Sequence, residues 1–262
     1  MTRTALIGYT GFVGGTLLAD GVFDGLFNSK NIEEIAGKAY DTIICAGVPA
    51  VKWMANAAPE QDRATIDRLR RALDQVHARE FILVSTIDVY PNSDAAVDER
   101  AEVDNAGNHA YGANRRELER WVSHRFLHSR IIRLPALFGR GLKKNALFDL
   151  LHRRDLLAIN PASAFQWYPI RRLHADIEKI RETNLSLVNL FSEPVPMRVV
   201  IDAFFPGAET DAATQPPIRY DLRTQYSQLF GGRNGYALER TSVLGEMAEF
   251  VAAERMRGET GC

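Results

Sequence analysis

Ala5-Leu6-Ile7-Gly8-Tyr9-Thr10-Gly11-Phe12-Val13-Gly14-Gly15-Thr16-Leu17-Leu18 runs from a strand-length apolar segment through a glycine-rich turn into a helix-like stretch. Glycine at the first positions lets the backbone turn sharply and approach a pyrophosphate. Gly14 lets the helix pack close to the strand while its first amides face the anion. The spacing is G-x-x-G-x-x-G, and the ligand it predicts for Gly8, Thr10, Gly11, Phe12, Val13 and Gly14 is a dinucleotide. A turn that only joins strand to helix is the alternative reading.

Outward from this turn, short apolar runs alternate with longer amphipathic ones. Gly25-Leu26-Phe27-Asn28 reads as a second short strand, and Asn31 to Ala36 as a helical turn ending near Gly37. Asp41-Thr42-Ile43-Ile44-Cys45-Ala46-Gly47 and Phe81-Ile82-Leu83-Val84-Ser85-Thr86 have the unbroken apolar centres of strands buried on both faces of a parallel sheet. Helices are predicted over Pro59 to His77, with Ile66, Leu69, Leu73 and Val76 on one side, and over Tyr111 to Phe126, with Leu118, Trp121 and Val122. Ile131-Ile132-Arg133-Leu134 is a further strand, stopped by Pro135. The alternation predicts an α/β fold, a Rossmann-type doubly wound parallel sheet with right-handed crossovers.

Beyond Gly139 the pattern loosens, with helices predicted at 145–151, 175–183 and 242–255. We read residues 1–262 as a single unit, 1–140 mainly dinucleotide-binding and 141–262 mainly a small substrate lobe. Such a lobe is expected to cap the carboxyl edge of the sheet and to select the substrate.

The charge balance, 32 Lys+Arg against 33 Asp+Glu, gives a net charge of -1 and no basic field for nucleic acid. Cys45 and Cys262 make neither a disulfide framework nor a metal spacing, and His124, His128, His152 and His174 share no ligand spacing, so no metal is expected. The amino terminus enters the first strand without a signal-peptide pattern, and no stretch has the length to span a bilayer. A soluble, cytoplasmic protein with small-molecule partners is the expectation.

Three stretches fall at strand ends or helix starts: Gly8 to Gly14, Val84-Ser85-Thr86-Ile87-Asp88-Val89-Tyr90, and His109-Ala110-Tyr111-Gly112-Ala113-Asn114-Arg115. Together they resemble the extended short-chain dehydrogenases/reductases, in particular the NAD(P)-dependent epimerase/dehydratase branch, from about residue 3 to about residue 140. Cys45-Ala46-Gly47-Val48-Pro49-Ala50-Val51 is similar to that family's strand-four segment, where Ala46 and Gly47 would let the cofactor lie against the backbone. Arg133-Leu134-Pro135-Ala136-Leu137-Phe138-Gly139 is similar to its Arg-x-Pro-x-x-x-Gly segment, placing Pro135 beside the nicotinamide ribose.

The resemblance implies catalytic roles for Tyr111, Thr86 and Arg115. Hydride leaves an alcohol only with its proton, so a base must sit beside the carbinol and a donor beside the developing oxyanion. Tyr111 is the implied acid/base, Thr86 polarises the same substrate oxygen, and Ser85 is its neighbouring substitute. Lowering a phenol from ~10 toward ~7 takes roughly 4 kcal/mol of differential stabilisation. The family's Tyr-x-x-x-Lys lysine supplies that cation and grips the ribose, whereas this chain has Arg115, which keeps the charge but does not deprotonate. Asp88 falls where dehydratase members carry a glutamate, although redox or epimerase chemistry is preferred.

At the adenine side, Asn28-Ser29-Lys30-Asn31 lacks a carboxylate for the ribose hydroxyls, and Ser29 with Lys30 suits a 2′-phosphate. NADP is therefore favoured over NAD. The span from Gly14 to Asp41 is short for the family, implying a trimmed strand or helix there, and Asn31-Ile32 takes the place of the family's Asp-hydrophobic pair. Asn145, after Lys143 and Lys144, fits either a phosphate contact or a solvated helix cap. Phe165 stands near the place of the family's nucleotide-contacting arginine, for which Arg171 and Arg172 are the substitutes.

These features predict an NAD(P)-dependent oxidoreductase or epimerase acting on a sugar or nucleotide-sugar hydroxyl or carbonyl. The resemblance also implies a homodimer through helices 59–77 and 111–126. The alternative is a catalytically weak or inactive NAD(P)-binding protein with a regulatory or partner-binding role.

Overall fold

Strand β1 (Thr4–Ile7) is apolar throughout its buried part and needs a partner on each side. A computed structural model, describing residues 3–211 and 215–260, gives it both; Cys262 lies outside the described residues. After β1 come α1 (Phe12–Asp20), β2 (Gly25–Phe27), β3 (Ala39–Cys45), α2 (Lys52–Ala57), α3 (Pro59–Leu73) and β4 (His77–Thr86). Next are α4 (Ala110–Arg125), β5 (Ser129–Leu134), β6 (Ala136–Phe138), α5 (Ala146–His152), β7 (Ala164–Phe165) and β8 (Trp167–Pro169). The last are α6 (Leu173–Arg181), β9 (Leu187–Asn189), β10 (Val195–Pro196), α7 (Met197–Phe204) and α8 (Arg240–Thr260).

The main sheet is parallel, in the order β2-β1-β3-β4-β5-β9, which is the doubly wound α/β arrangement expected. The chain steps from β1 to β2 on one side and then returns to place β3 on the other. The order of the strands therefore reverses between β1 and β3, where Ile7 pairs with Cys45. In open α/β sheets, ligands bind outside the carboxyl ends at this switch point. Beyond β1 the sheet stops at β2, and only a 3-10 turn (Ile32–Ile35) intervenes before β3.

The core carries Ile7, Ile43, Cys45, Phe81 and Leu83 from the strands, packed with Leu69, Leu73, Leu118 and Val122 from α3 and α4. Phe81 stacks on Phe126 with ring centroids 4.2 Å apart. Burial pushes the Cys45 thiol up to about 11.

Two details differ from the sequence expectation. The helix predicted over 59–77 ends at Leu73, and β4 starts at His77, four residues before Phe81. The polar start of β4 is stabilised from its neighbours, because Glu80 accepts from Arg130 at 2.7 Å and Arg181 at 2.8 Å. The short helix α2 has a single buried residue, Ala55, so no amphipathic stripe announces it.

By internal contacts the chain divides into two units, and they interleave. One comprises residues up to 92 with 101–133 and 173–188; the other comprises 93–100, 134–172 and those from 189 on. In the second, β6 pairs with β8 in parallel and β7 with β10 antiparallel. The segment 93–100 is tied there through Glu99, which accepts from Thr224 Oγ1 at 2.6 Å and from the backbone N–H of Asn189 at 2.8 Å. No helix among the described residues is long and apolar enough to cross a membrane.

Candidate active site

The turn after β1 brings Gly8 against the end of β3. Gly8 has φ +89°, and a Cβ there would lie 2.5 Å from the carbonyl carbon of Ala46. A Cβ on Gly14 would lie 2.1 Å from the Gly8 carbonyl oxygen. These two glycines, with Ala46 and Gly47, thus form the tight crossing at the switch point, and the chain's own backbone requires them small. Gly11 differs: its Cβ would meet nothing closer than that same oxygen at 3.3 Å. Gly11 caps α1 without a side-chain hydrogen bond to the helix amides, and Thr10 and Gly11 are exposed. An uncapped helix amino terminus on an open turn is chemically suited to an anion.

After β2, in the stretch that sequence assigns to the adenine end of a dinucleotide, Asn28 and Asn31 are occupied with each other's turn. The Asn28 N–H donates to Asn31 Oδ1 at 2.7 Å, and Asn28 Oδ1 accepts from the Lys30 N–H at 2.8 Å. Ser29 and Lys30 are exposed.

On the same carboxyl edge, β4 ends at Thr86, whose hydroxyl caps the following turn by accepting from the Asp88 N–H at 3.2 Å. Helix α4 lies tight against this turn, because Gly112 has no side chain: a Cβ would lie 2.0 Å from the Asp88 carbonyl oxygen. The approach sets the Tyr111 phenol beside Thr86, near enough for the hydroxyl to act on its ionisation. Burial raises the phenol pKa above its ordinary value; Arg115 and Thr86 pull it down, and Asp88 pushes it up again. Burial prevails, so the lowering expected from the Tyr-x-x-x-Arg pairing is not the net outcome.

Arg115 is buried, its Cζ 3.8 Å from the Tyr111 ring centroid. Its Nη1 and Nη2 donate to Asp62 Oδ2 and Oδ1 at 2.5 and 2.9 Å. Nη1 also reaches the Tyr111 carbonyl oxygen at 3.1 Å, and Nη2 that of Pro49 at 2.5 Å. Asn114 Nδ2 completes the carboxylate's shell at 2.8 Å. Burial acts to raise the Asp62 carboxyl, but these hydrogen bonds and the Arg115 charge hold it below the usual carboxylate range.

Several groups here carried no sequence signal. Lys52, at the start of α2, has its Nζ 2.7 Å from Asp88 Oδ1. His109 Nε2 is 3.8 Å from the same oxygen, while its Nδ1 caps α4 by accepting from the Gly112 N–H at 3.0 Å. Asn56 Oδ1 accepts from the Tyr111 N–H at 2.9 Å. Lys52 and Asn56 stand in no recognisable spacing with Tyr111 and are assembled by the fold of α2 over α4, whereas His109 arrives as the cap of α4 itself.

Other sequence candidates are held by structural partners. Ser85 Oγ donates to Glu119 at 2.6 Å. That carboxylate is also paired with Arg133, whose Nη1 donates to the Tyr90 hydroxyl at 2.7 Å. Pro135 is buried between β5 and β6. Asn145 caps α5, accepting from the Phe148 N–H at 3.0 Å and donating to the Leu137 carbonyl at 2.8 Å, which fits the helix-cap reading. Arg171 and Arg172, the suggested substitutes for an arginine at position 165, are both ion-paired with Glu246, at 2.7 and 2.5 Å.

No protein-family model matches the chain, and no curated protein matches it in sequence. Solved structures do match in fold. A UDP-N-acetylglucosamine 4-epimerase from Methanobrevibacter ruminantium M1, in complex with UDP-N-acetylmuramic acid, superposes with TM-score 0.74 at 11% identity, covering 96% of this chain and 97% of that one. A dTDP-4-dehydrorhamnose reductase from Bacillus anthracis str. Ames, in complex with NADP, gives TM-score 0.74 at 14% identity, covering 96% and 98%. The chain shares the fold of these two nucleotide-sugar enzymes. An NAD-dependent NDP-hexosamine 5,6-dehydratase involved in tunicamycin biosynthesis shares it, with TM-score 0.70 at 17% identity over 90% and 93% of the two chains.

Proposed function

We propose that this chain binds a nicotinamide dinucleotide at the switch point and moves a proton on a sugar or nucleotide-sugar oxygen through Tyr111. The observation that carries the proposal is the close approach of α4 to the turn after β4 at Gly112, which sets Tyr111 beside Thr86 on the same sheet edge as the uncapped turn at Gly11. The residues fit the cofactor: Thr10, Gly11, Phe12 and Val13 would meet its pyrophosphate, Ala46 and Gly47 its ribose side, and Ser29 with Lys30 a 2′-phosphate, so NADP is preferred to NAD. The cofactor would supply or accept hydride. Similarity in fold to enzymes that act on nucleotide sugars supports the substrate class.

Tyr111 acts as the proton-transfer group and Thr86 donates to the same substrate oxygen as negative charge grows on it. Arg115 lies on the ring face rather than in the path of the proton. The test is turnover of a panel of nucleotide sugars with NAD(P)H, comparing wild type with Tyr111→Phe. Activity in the wild type, reduced at least about a hundredfold in Tyr111→Phe, is the expected result.

The second reading, a cofactor-binding protein without turnover, is favoured by one observation: the guanidinium of Arg115 is committed to Asp62 and two carbonyl oxygens. Cofactor binding with equal, negligible turnover in wild type and Tyr111→Phe would establish that reading instead.

A further inference from the structure

The cation that sequence assigns to Tyr111 is not the only one brought to it. Arg115 from α4, itself neutralised by Asp62 of α3, and Asp88 from the turn after β4 act on the phenol directly, and Asp88 is in turn met by His109 from the cap of α4 and Lys52 from α2. Asp88 is the acidic member on the Thr86 side, with Oδ2 3.5 Å from Thr86 Oγ1. A carboxylate at that place disfavours a phenolate by like-charge repulsion, and an ammonium 2.7 Å from it cancels most of that field.

The position of Lys52 is set by the structure around it. The Pro49 carbonyl, three residues upstream, is held by Arg115, and Asn56, four residues downstream, is held by the Tyr111 backbone N–H. Both ends of the segment carrying Lys52 are thus fastened to α4, the helix that carries Tyr111. Arg115, which occupies the family's lysine position, anchors this segment.

We propose that Lys52 is a positioning residue for Tyr111: paired with Asp88, it sets the charge that faces the phenol, while Arg115 fastens the segment that brings it there. This rests on the reading of Tyr111 as the proton-transfer group. It extends that reading by dividing between Arg115 and Lys52 the work that a single lysine does in the Tyr-x-x-x-Lys pattern. Lys52 is about two-fifths exposed, so its end of the ion pair faces solvent.

The test replaces Tyr111 with a fluorinated tyrosine, whose phenol ionises within the range where proteins remain folded, and follows its midpoint by fluorine NMR in the full chain. Lys52→Met is expected to raise the midpoint by about one pH unit and Asp88→Asn to lower it by a similar amount. Lys52→Met added to Asp88→Asn is expected to add almost nothing, because the ion pair with that carboxylate is what places the partly exposed ammonium near the phenol. Lys52→Arg is expected to restore the wild-type midpoint, which loss of folding would not do. Unchanged midpoints in both single variants overturn the proposal, as does an equal shift by Lys52→Met with and without Asp88. The readout needs neither cofactor nor substrate, so absence of NAD(P) binding in a parallel titration would overturn the functional reading separately.

Discussion

Arg115 grips Asp62 through both terminal nitrogens, 2.5 and 2.9 Å from its two carboxylate oxygens, with both side chains withdrawn from solvent. A buried pair of this kind matters most when one partner is removed, because the other is left charged in a medium that solvates it poorly. Asp62→Ala is expected to lower unfolding free energy by about 3–5 kcal/mol. Asp62→Ala combined with Arg115→Met is expected to recover most of that loss. Chemical denaturation of the two variants and the wild type checks this; equal stability of Asp62→Ala and wild type would show that the pair contributes nothing.

The same pair makes stability depend on acid. Burial opposes ionisation of Asp62 and Glu80, yet Arg115 with Asn114, and Arg130 with Arg181, hold the two carboxyls below the usual range in the folded chain. A carboxyl with a lower pKa folded than unfolded binds fewer protons when folded. Its contribution is complete above about pH 4 and is lost as pH falls through the folded value. Acid unfolding is expected to begin below about pH 4, and Asp62→Asn is expected to make that dependence shallower. A midpoint and slope unchanged in Asp62→Asn would contradict this.

Cys45 works in the opposite direction. Its thiol, pushed up to about 11 by burial, stays neutral in the folded chain while an unfolded thiol ionises at lower pH. Its contribution is complete below the unfolded pKa of about 8.5 and declines as pH rises toward the folded value, by up to about 3 kcal/mol. Cys45→Ala should therefore flatten the alkaline side of the stability profile, although the smaller side chain costs some stability at every pH.

Gly112 sits inside a helix, where alanine is ordinarily better by about 1 kcal/mol. The 2.0 Å that would separate a Cβ from the Asp88 carbonyl reverses the sign there. Gly112→Ala is expected to destabilise the protein and displace Tyr111 from Thr86. Gly245→Ala in α8, with nothing within 4 Å of the added carbon, is expected to stabilise it by about 0.5–1 kcal/mol. Thermal melts of the two variants should move in opposite directions.

Burial leaves the Tyr111 phenol protonated at neutral pH, so it is ready to donate to a carbonyl oxygen and must be titrated to accept from an alcohol. In the proposed reaction, carbonyl reduction is expected to be flat through neutral pH, whereas alcohol oxidation rises about tenfold per pH unit. Profiles of kcat/KM in the two directions measure this, and an oxidation profile that levels off near pH 7 would contradict it.

The parts of the fold that were legible in sequence are those decided by local patterns. Ile43-Ile44-Cys45 and Phe81-Ile82-Leu83 are continuous apolar runs because a central parallel strand is covered on both faces. The short span before Asp41 announced a sheet that ends at β2. Thr86 and Tyr111 stood out because each lies in a short motif on which the family resemblance rests. Lys52, Asp62 and Asn56 did not, since their partners lie 36, 53 and 55 residues away and α2 has no periodic face. The excursion of 93–100 into the second unit was equally silent, because Glu99 finds Asn189 and Thr224 only once the chain has folded.

The central claim is that a dinucleotide binds at the open turn between β1 and α1, and calorimetric titration of the full chain with NADPH and NADH tests it most directly. Because Gly8 and Gly14 are required by the backbone itself, the informative variant is Thr10→Asp, which places a negative charge on an exposed residue beside the α1 amino terminus. The expected result is saturable one-site binding by wild type and Tyr111→Phe, weakened at least about tenfold in a folded Thr10→Asp protein. No binding of either nucleotide by wild type, or equal affinity in Thr10→Asp, would contradict the account.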